Sequence, residues 1–352
     1  MWGMTTAFEP AALLQRARAL PKVLLHEHLD GGLRVATLLE LLRQRGVAPP
    51  APDEARLAAW FSANAHAGSL EKYLQGFALT IEAMASLQAL ERVAFEAAED
   101  ALADGAVLAE FRIAPLLFEP YGITGEAATE ALLAGLARST MPSGLIVCAL
   151  RHLPPAQTTR AARLALAYRD RGVVAFDLAG AEKGFPAGDH GEALGLVLGG
   201  GLPLTLHAGE ADVAERVVEA ARLGARRIGH GVRLVDALHD PARRHLVDEV
   251  KQRGVHLEVC PTSNVHTGAA ASLASHPITA LWQAGVSLSF HTDNRLMSCV
   301  SLADEAAALL RDTPLTEADL LSMAGEAVGH SFLPEAVRAK ALVAITAAIR
   351  SV

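Results

Sequence analysis

Two histidines separated by one residue stand at the end of an apolar run, in Val23-Leu24-Leu25-His26-Glu27-His28-Leu29-Asp30. Side chains alternate between the faces of a strand, so His26 and His28 point one way and Glu27 the other. Other apolar runs end in the same manner, at Asp177-Leu178-Ala179-Gly180, His207-Ala208-Gly209-Glu210, His230 in RIGHG and His291-Thr292-Asp293-Asn294. One histidine of this kind reads as a core residue. Imidazoles and a carboxylate converging from several strand ends read as a site for a borderline divalent metal, with zinc the default for mixed nitrogen and oxygen donors. His26, His28, His207 and Asp293 are the expected ligands of one ion. Glu210, three residues after His207, is the acid/base candidate. His230, between small residues that permit close approach, is expected to orient the attacking oxygen or serve as a second base.

Such a constellation needs a scaffold that brings distant strand ends to one place. The chain repeats a phrase in DGAVLAEFRIAP, RDRGVVAFDLAG, GGGLPLTLHAGE, RLGARRIGHG, QRGVHLEVCPTSN and QAGVSLSFHTDN. In each, an amphipathic helical stretch gives way to glycine, which can end it in left-handed geometry, and then to a run continuous enough for a parallel strand covered on both faces. With PKVLLHEHLD and SGLIVCAL these make eight candidate strands. Eight parallel strands alternating with helices predict a (β/α)8 TIM-type barrel in one domain over residues 1–352, with its active site at the strands' carboxyl ends. A helical insertion after strand 1, loosest between Leu41 and Thr80, reads equally as a lid or as a structural excursion, and a helical tail follows Ser301. An open doubly wound sheet would want GxGxxG after its first strand, and HLDGGLR is not one.

The composition narrows the partners. With 352 residues, 51% hydrophobic, and a net charge of −8, the chain lacks the basic face of a general nucleic-acid or membrane-surface binder. The start, MWGMTTAFEP, shows no basic, apolar leader pattern. Cys148, Cys260 and Cys299 form no CxxC pair, so reduced thiols and a cytoplasmic location are expected. There is no HExxH helix and no GxSxG elbow, and Cys260-Pro261 inverts the order of the PCxxC deaminase signature. The histidines outside the pattern, His66, His152, His190, His239, His245, His256, His266, His276 and His330, are expected at the surface.

PKVLLHEHLDGGLR, VVAFDLAGAE, LTLHAGE, RRIGHGVRL, VCPTSN, SLSFHTDN and SFLPEAVRAK, in this order over nearly the whole chain, resemble the adenosine deaminase family of metal-dependent hydrolase barrels. The resemblance implies one zinc ion on His26, His28, His207 and Asp293, with Glu210 and His230 catalytic. It also implies substrate contacts from His28, from the Gly180 backbone to the purine, from Asp30 to the ribose 5′-hydroxyl, and from Asn294, where many members carry aspartate, to N7. The implied reaction is hydrolytic deamination of adenosine, and of 2′-deoxyadenosine, to inosine or deoxyinosine and ammonia. Adenine or a modified adenine nucleoside is the alternative substrate. Adenine-specific members tend to have HLEGT where this chain has HLDGG, so Asp30 favours a sugar-bearing purine. His291 stands where asparagine is common, as an outer partner or an extra ligand. Monomer and homo-oligomer remain open.

Overall fold

A computed structural model describes residues 10–65 and 70–351. The leader reading of MWGMTTAFEP and the placement of His66 fall outside the described residues, apart from Pro10. Eight parallel strands lie in chain order: β1 (Lys22–His28), β2 (Ala106–Ile113), β3 (Ser143–Leu150), β4 (Val173–Ala179), β5 (Leu204–Ala208), β6 (Ala225–His230), β7 (His256–Val259) and β8 (Leu288–Phe290). Each pairs with the next, and nearly every strand residue is buried, as a sheet closed on itself and wrapped in helices requires. The expected (β/α)8 barrel is the fold. The glycine of each repeated phrase does what its position demanded: Gly105, Gly172, Gly201, Gly224, Gly254 and Gly285 all have positive φ, reversing the chain between a helix and the next strand.

The seam between β8 and β1 is closed differently. β8 is short, and the contact continues past it as a single bridge between Glu27 and Asp293, with His28 N–H donating to Asp293 O (2.8 Å) and Asp293 N–H to His26 O (3.0 Å). Below that bridge, where β1 also shifts register against β2, the Leu25 N–H donates to His291 Nδ1 at 3.1 Å. His291 is therefore a side-chain stitch in the barrel wall, and Asp293 leaves the strand alternation altogether with a φ of 59°. The tail helix Glu317–His330 covers the seam from outside, packing on β1 and β8.

The insertion after β1 consists of the helices Val35–Gln44, Glu54–Ala65 and Leu70–Met84, leading into Leu87–Ala103. Leu70–Met84 packs against the turn Leu29–Gly31 that follows β1, and Glu54–Ala65 against Arg295–Ser298 that follows β8. The insertion thus braces the two loops nearest His28 and Asp293. Among the described residues no helix is long and apolar enough to cross a membrane, and the three cysteines are unbridged, Cys148 and Cys260 buried and Cys299 exposed.

The histidines expected at the surface divide. His152, His239 and His245 are exposed, and His266 and His330 are half-buried. His190, His256 and His276 are buried, because each finds partners for both ring nitrogens: Thr158 and the Arg151 carbonyl for His190, Ser287 and Ser289 for His256, and Ile278 and Asn264 for His276.

Candidate active site

The barrel axis below the rim is charged where a hydrocarbon filling would be the default. Arg112 from β2, Asp177 from β4, Arg227 from β6 and Glu110 and Glu258 from β2 and β7 are all fully buried. Arg112 donates to Asp177 (2.9 Å), to Glu258 (2.6 Å) and to the Leu25 carbonyl (2.6 Å), while Arg227 pairs with Glu258 (2.6 Å) and Glu110 (2.7 Å). Buried charges persist only when paired in this way. Both carboxylates on Arg112 also face upward. Glu258 accepts from His26 Nδ1 at 3.0 Å and Asp177 from His207 Nδ1 at 3.1 Å. A carboxylate on Nδ1 fixes the proton there and leaves the Nε2 lone pair free, the orientation an outer partner gives a metal-binding histidine.

The Nε2 atoms meet above this layer. His28 Nε2 lies 3.2 Å from His207 Nε2 and 3.5 Å from Asp293 Oδ1, and His26 Nε2 lies 3.2 Å from the same oxygen. With the Nδ1 proton held by Glu258, the buried His26 Nε2 faces this oxygen lone pair to lone pair, an arrangement that a cation between them relieves. Donor atoms of His26, His207, His230 and Asp293 all fall within 4.8 Å of one another. Burial pushes the His207 imidazole down to about 4, and burial likewise holds His28 well below its ordinary range, so both rings are neutral donors at pH 7. Four carboxylates in the column (Asp177, Glu258, Glu110, Asp293) against two guanidiniums (Arg112, Arg227) leave two negative charges, the complement of one divalent cation. The donor set and this charge both fit zinc.

Close approach of the rings depends on Gly229 in β6. A Cβ there would sit 2.8 Å from His26 Cε1 and 3.2 Å from the His207 ring. Glu27, between the two β1 histidines, faces away as alternation requires, accepting from Thr292 Oγ1 (2.9 Å) and Arg295 Nε (2.7 Å).

The proton-handling candidates stand beside the metal donors. Glu210 Oε2 is 3.5 Å from His230 Nε2, and Glu210 Oε1 accepts from Thr267 Oγ1 at 2.8 Å. The loop carrying Glu210 is held by Glu182, whose carboxylate accepts from four successive amides, of Gly209 (2.5 Å), Glu210 (3.0 Å), Ala211 (2.8 Å) and Asp212 (3.1 Å). Asp30 is buried, its carboxyl pushed up to about 7 by burial, and its Oδ1 makes no hydrogen bond. Asn294 lies against Gly31, where a Cβ would come within 2.0 Å of Asn294 Oδ1. Gly180 closes β4 on the same rim with a φ of 87°. Every residue picked out from the sequence is thus at the carboxyl end of the barrel.

Sequence reasoning passed over the short helix Pro261–His266 and the residue after it. Ser263 donates to Asp293 Oδ2 at 2.6 Å, Asn264 Nδ2 lies 3.0 Å from His230 Nδ1, and Thr267 reaches Glu210. The signal was the VCPTSN stretch itself, polar residues directly after a strand end. The helix is pinned by Glu305, whose Oε1 accepts the Thr262 N–H (3.0 Å) while Oε2 is buried without a hydrogen bond. Burial pushes the Glu305 carboxyl up to about 8. The folded chain therefore holds a proton that the unfolded chain releases above its ordinary value of 4.5, so this contribution is complete below that value and is lost as pH rises towards 8. Glu305→Gln, uncharged throughout, is expected to overtake the native protein in unfolding free energy by on the order of 2–4 kcal/mol between pH 5 and 8. A stability difference that stays flat over that interval in chemical denaturation would show the folded carboxyl to be ionised.

A parallel (β/α)8 barrel with such a polar rim defines the class of metal-dependent hydrolase barrels. The adenosine deaminase family profile matches residues 21–348, and the chain belongs to that family. An adenosine deaminase of Mycobacterium marinum is 42% identical over 313 residues, spanning 84% of this chain and 86% of the relative. The fold superposes on the N6-mAMP deaminase MAPDA of arabidopsis with a TM-score of 0.82 at 25% identity, over 95% of this chain and 99% of that one. It superposes on the adenine deaminase of Arthrobacter aurescens with a TM-score of 0.83 at 24% identity, over 94% and 100%. The protein is a hydrolytic deaminase of the adenosine and adenine class.

Proposed function

We propose that the chain hydrolyses adenosine, and 2′-deoxyadenosine, to inosine or deoxyinosine and ammonia, as a cytoplasmic enzyme acting on the free nucleoside with one zinc ion. Within the class, the observation that carries the substrate is Asp30: a buried carboxyl with an oxygen lacking any hydrogen bond, beside Gly31 and Asn294. A buried polar atom without a partner is costly, and a ribose 5′-hydroxyl would satisfy it where free adenine could not. The 42% identical adenosine deaminase supports the same reading.

His26, His28, His207 and Asp293 would hold the zinc, which supplies Lewis acidity that makes water a nucleophile at neutral pH. The chain's own residues do the rest. Purine C6 accepts an oxygen nucleophile only when N1 takes a proton, and Glu210 gives it. Its Oε1 is engaged by Thr267 (2.8 Å) and Asn264 (3.4 Å), which leaves Oε2 to carry the proton. His230 and Asp293 hold the incoming oxygen. The Asn294 amide donates to N7 without needing an unusual protonation state, the Gly180 backbone contacts the ring, and His28, the more exposed of the β1 pair, borders the substrate.

The test is a panel of adenosine, 2′-deoxyadenosine, adenine and N6-methylated adenine nucleotides given to the zinc-loaded protein. Release of ammonia with inosine formation from adenosine is expected, at a kcat/KM at least about tenfold above that for adenine. Turnover of adenine or a methylated nucleotide with adenosine left intact would overturn the substrate and favour the alternative.

A further inference from the structure

Four histidines crowd the site, and the partners of their outer nitrogens are not alike. His26 and His207 each turn Nδ1 to a carboxylate, Glu258 and Asp177. His230 turns Nδ1 to the side-chain amide of Asn264, at 3.0 Å. A carboxylate accepts only, and an amide NH2 donates only, so the two kinds of partner demand opposite tautomers.

Which end of the Asn264 amide faces His230 follows from groups whose roles cannot be reversed. The Ile278 backbone N–H donates to His276 Nδ1 at 3.0 Å. His276 is buried, and burial pushes its imidazole down to about 3, so the ring is neutral and carries its one proton on Nε2. That N–H points to Asn264 Oδ1 at 3.4 Å. The amide nitrogen is then left for His230 Nδ1 and for Glu210 Oε1, which lies 3.4 Å away and also needs a donor. Flipping the amide would set oxygen against the Glu210 carboxyl oxygen and nitrogen against the His276 N–H. The direction of the chain is fixed from the backbone inward.

We propose that Asn264, oriented by His276, is a positioning residue that holds His230 with its proton on Nε2, so that His230 meets the incoming oxygen as a hydrogen-bond donor and has no lone pair to offer a metal. The same rule sorts three of the four: the imidazoles of His26 and His207, backed by a carboxylate, present a free Nε2 to the ion, and that of His230, backed by an amide, presents an N–H to the reaction. It also separates His230 from the other members of the four-donor group, although distance alone does not. His230's meeting with the incoming oxygen rests on the function proposed above; its protonation pattern does not.

The experiment reads the tautomer directly. The zinc-loaded protein is labelled with 15N-histidine, and the His230 ring is identified by the signals missing from His230→Gln. In the native protein Nε2 is expected in the protonated, pyrrole-like range and Nδ1 in the unprotonated, pyridine-like range. Asn264→Asp places an acceptor where the donor was, and is expected to move the proton to Nδ1. It is expected to lower kcat by about 10²-fold or more with KM within about threefold, because it alters a donor met in the transition state. Asn264→Ala, which imposes neither tautomer, should fall between them. A native His230 protonated on Nδ1, or an Asn264→Asp protein whose His230 keeps its proton on Nε2, overturns the inference. The native spectrum decides this even if a variant fails to fold. A native spectrum as expected from a protein that deaminates nothing in the panel would retain the tautomer and discard the function.

Discussion

Glu210→Gln is expected to lower kcat by about 10²-fold or more while leaving KM and zinc content near their native values. The substitution keeps the shape of the side chain and its acceptor oxygen, so the contacts from Thr267 Oγ1 (2.8 Å) and Asn264 Nδ2 (3.4 Å) can persist. What it removes is a transferable proton on the second position, 3.5 Å from His230 Nε2. A glutamine N–H can hydrogen-bond to purine N1 but cannot protonate it, so C6 would have to accept the nucleophile with nowhere for the electron pair to go. Because Glu210 lies outside the set of expected zinc ligands, metal analysis separates this loss from a loss of the ion. Steady-state rates on adenosine are the measurement, and turnover within about tenfold of native would remove Glu210 from the role of proton donor.

The rim was readable from sequence because polar residues there interrupt runs that otherwise have to be apolar. His26, His28, His207, Glu210 and His230 announce themselves as strand ends, and the repeated helix-glycine-strand phrase says how many strands share the rim. Three kinds of feature stayed hidden. Arg112 and Glu258 sit inside strands, in AEFRIAP and HLEVC, and pass for ordinary interruptions until the barrel closes and puts them on its axis. A charged residue within a strand covered on both faces was the available signal, since it must find its partner inside. His291 stayed undecided between outer partner and extra ligand for another reason. Alternation puts it on the same side as Asp293, but β8 ends at Phe290 and Asp293 turns left-handed, so His291 points into the seam. The buried histidines His190, His256 and His276 were unreadable because their partners come from distant loops and strands as well as neighbouring residues.

Arg112→Ala is the substitution from which the largest structural loss is expected. One guanidinium bridges Asp177 and Glu258 and also satisfies the Leu25 carbonyl of β1. Its removal leaves two carboxylates in a region with no access to water, where breaking a buried pair costs roughly 3–5 kcal/mol. Arg227 still faces Glu258 at 2.6 Å, so the heavier damage falls on Asp177 and through it on His207. With its outer carboxylate driven to protonate, His207 no longer has a fixed Nδ1 proton or a fixed ring orientation, and zinc affinity is expected to fall by about 10- to 100-fold. Arg112→Lys should recover only part of either quantity, because one ammonium cannot span both carboxylates and the carbonyl in the geometry of a planar fork. Denaturant unfolding measures the first effect and competition with a chelator the second. If Arg112→Ala unfolded at the native midpoint and kept its metal against the chelator, the charged column would be mere filling, and the orientation of His26 and His207 would have to come from packing around Gly229 instead.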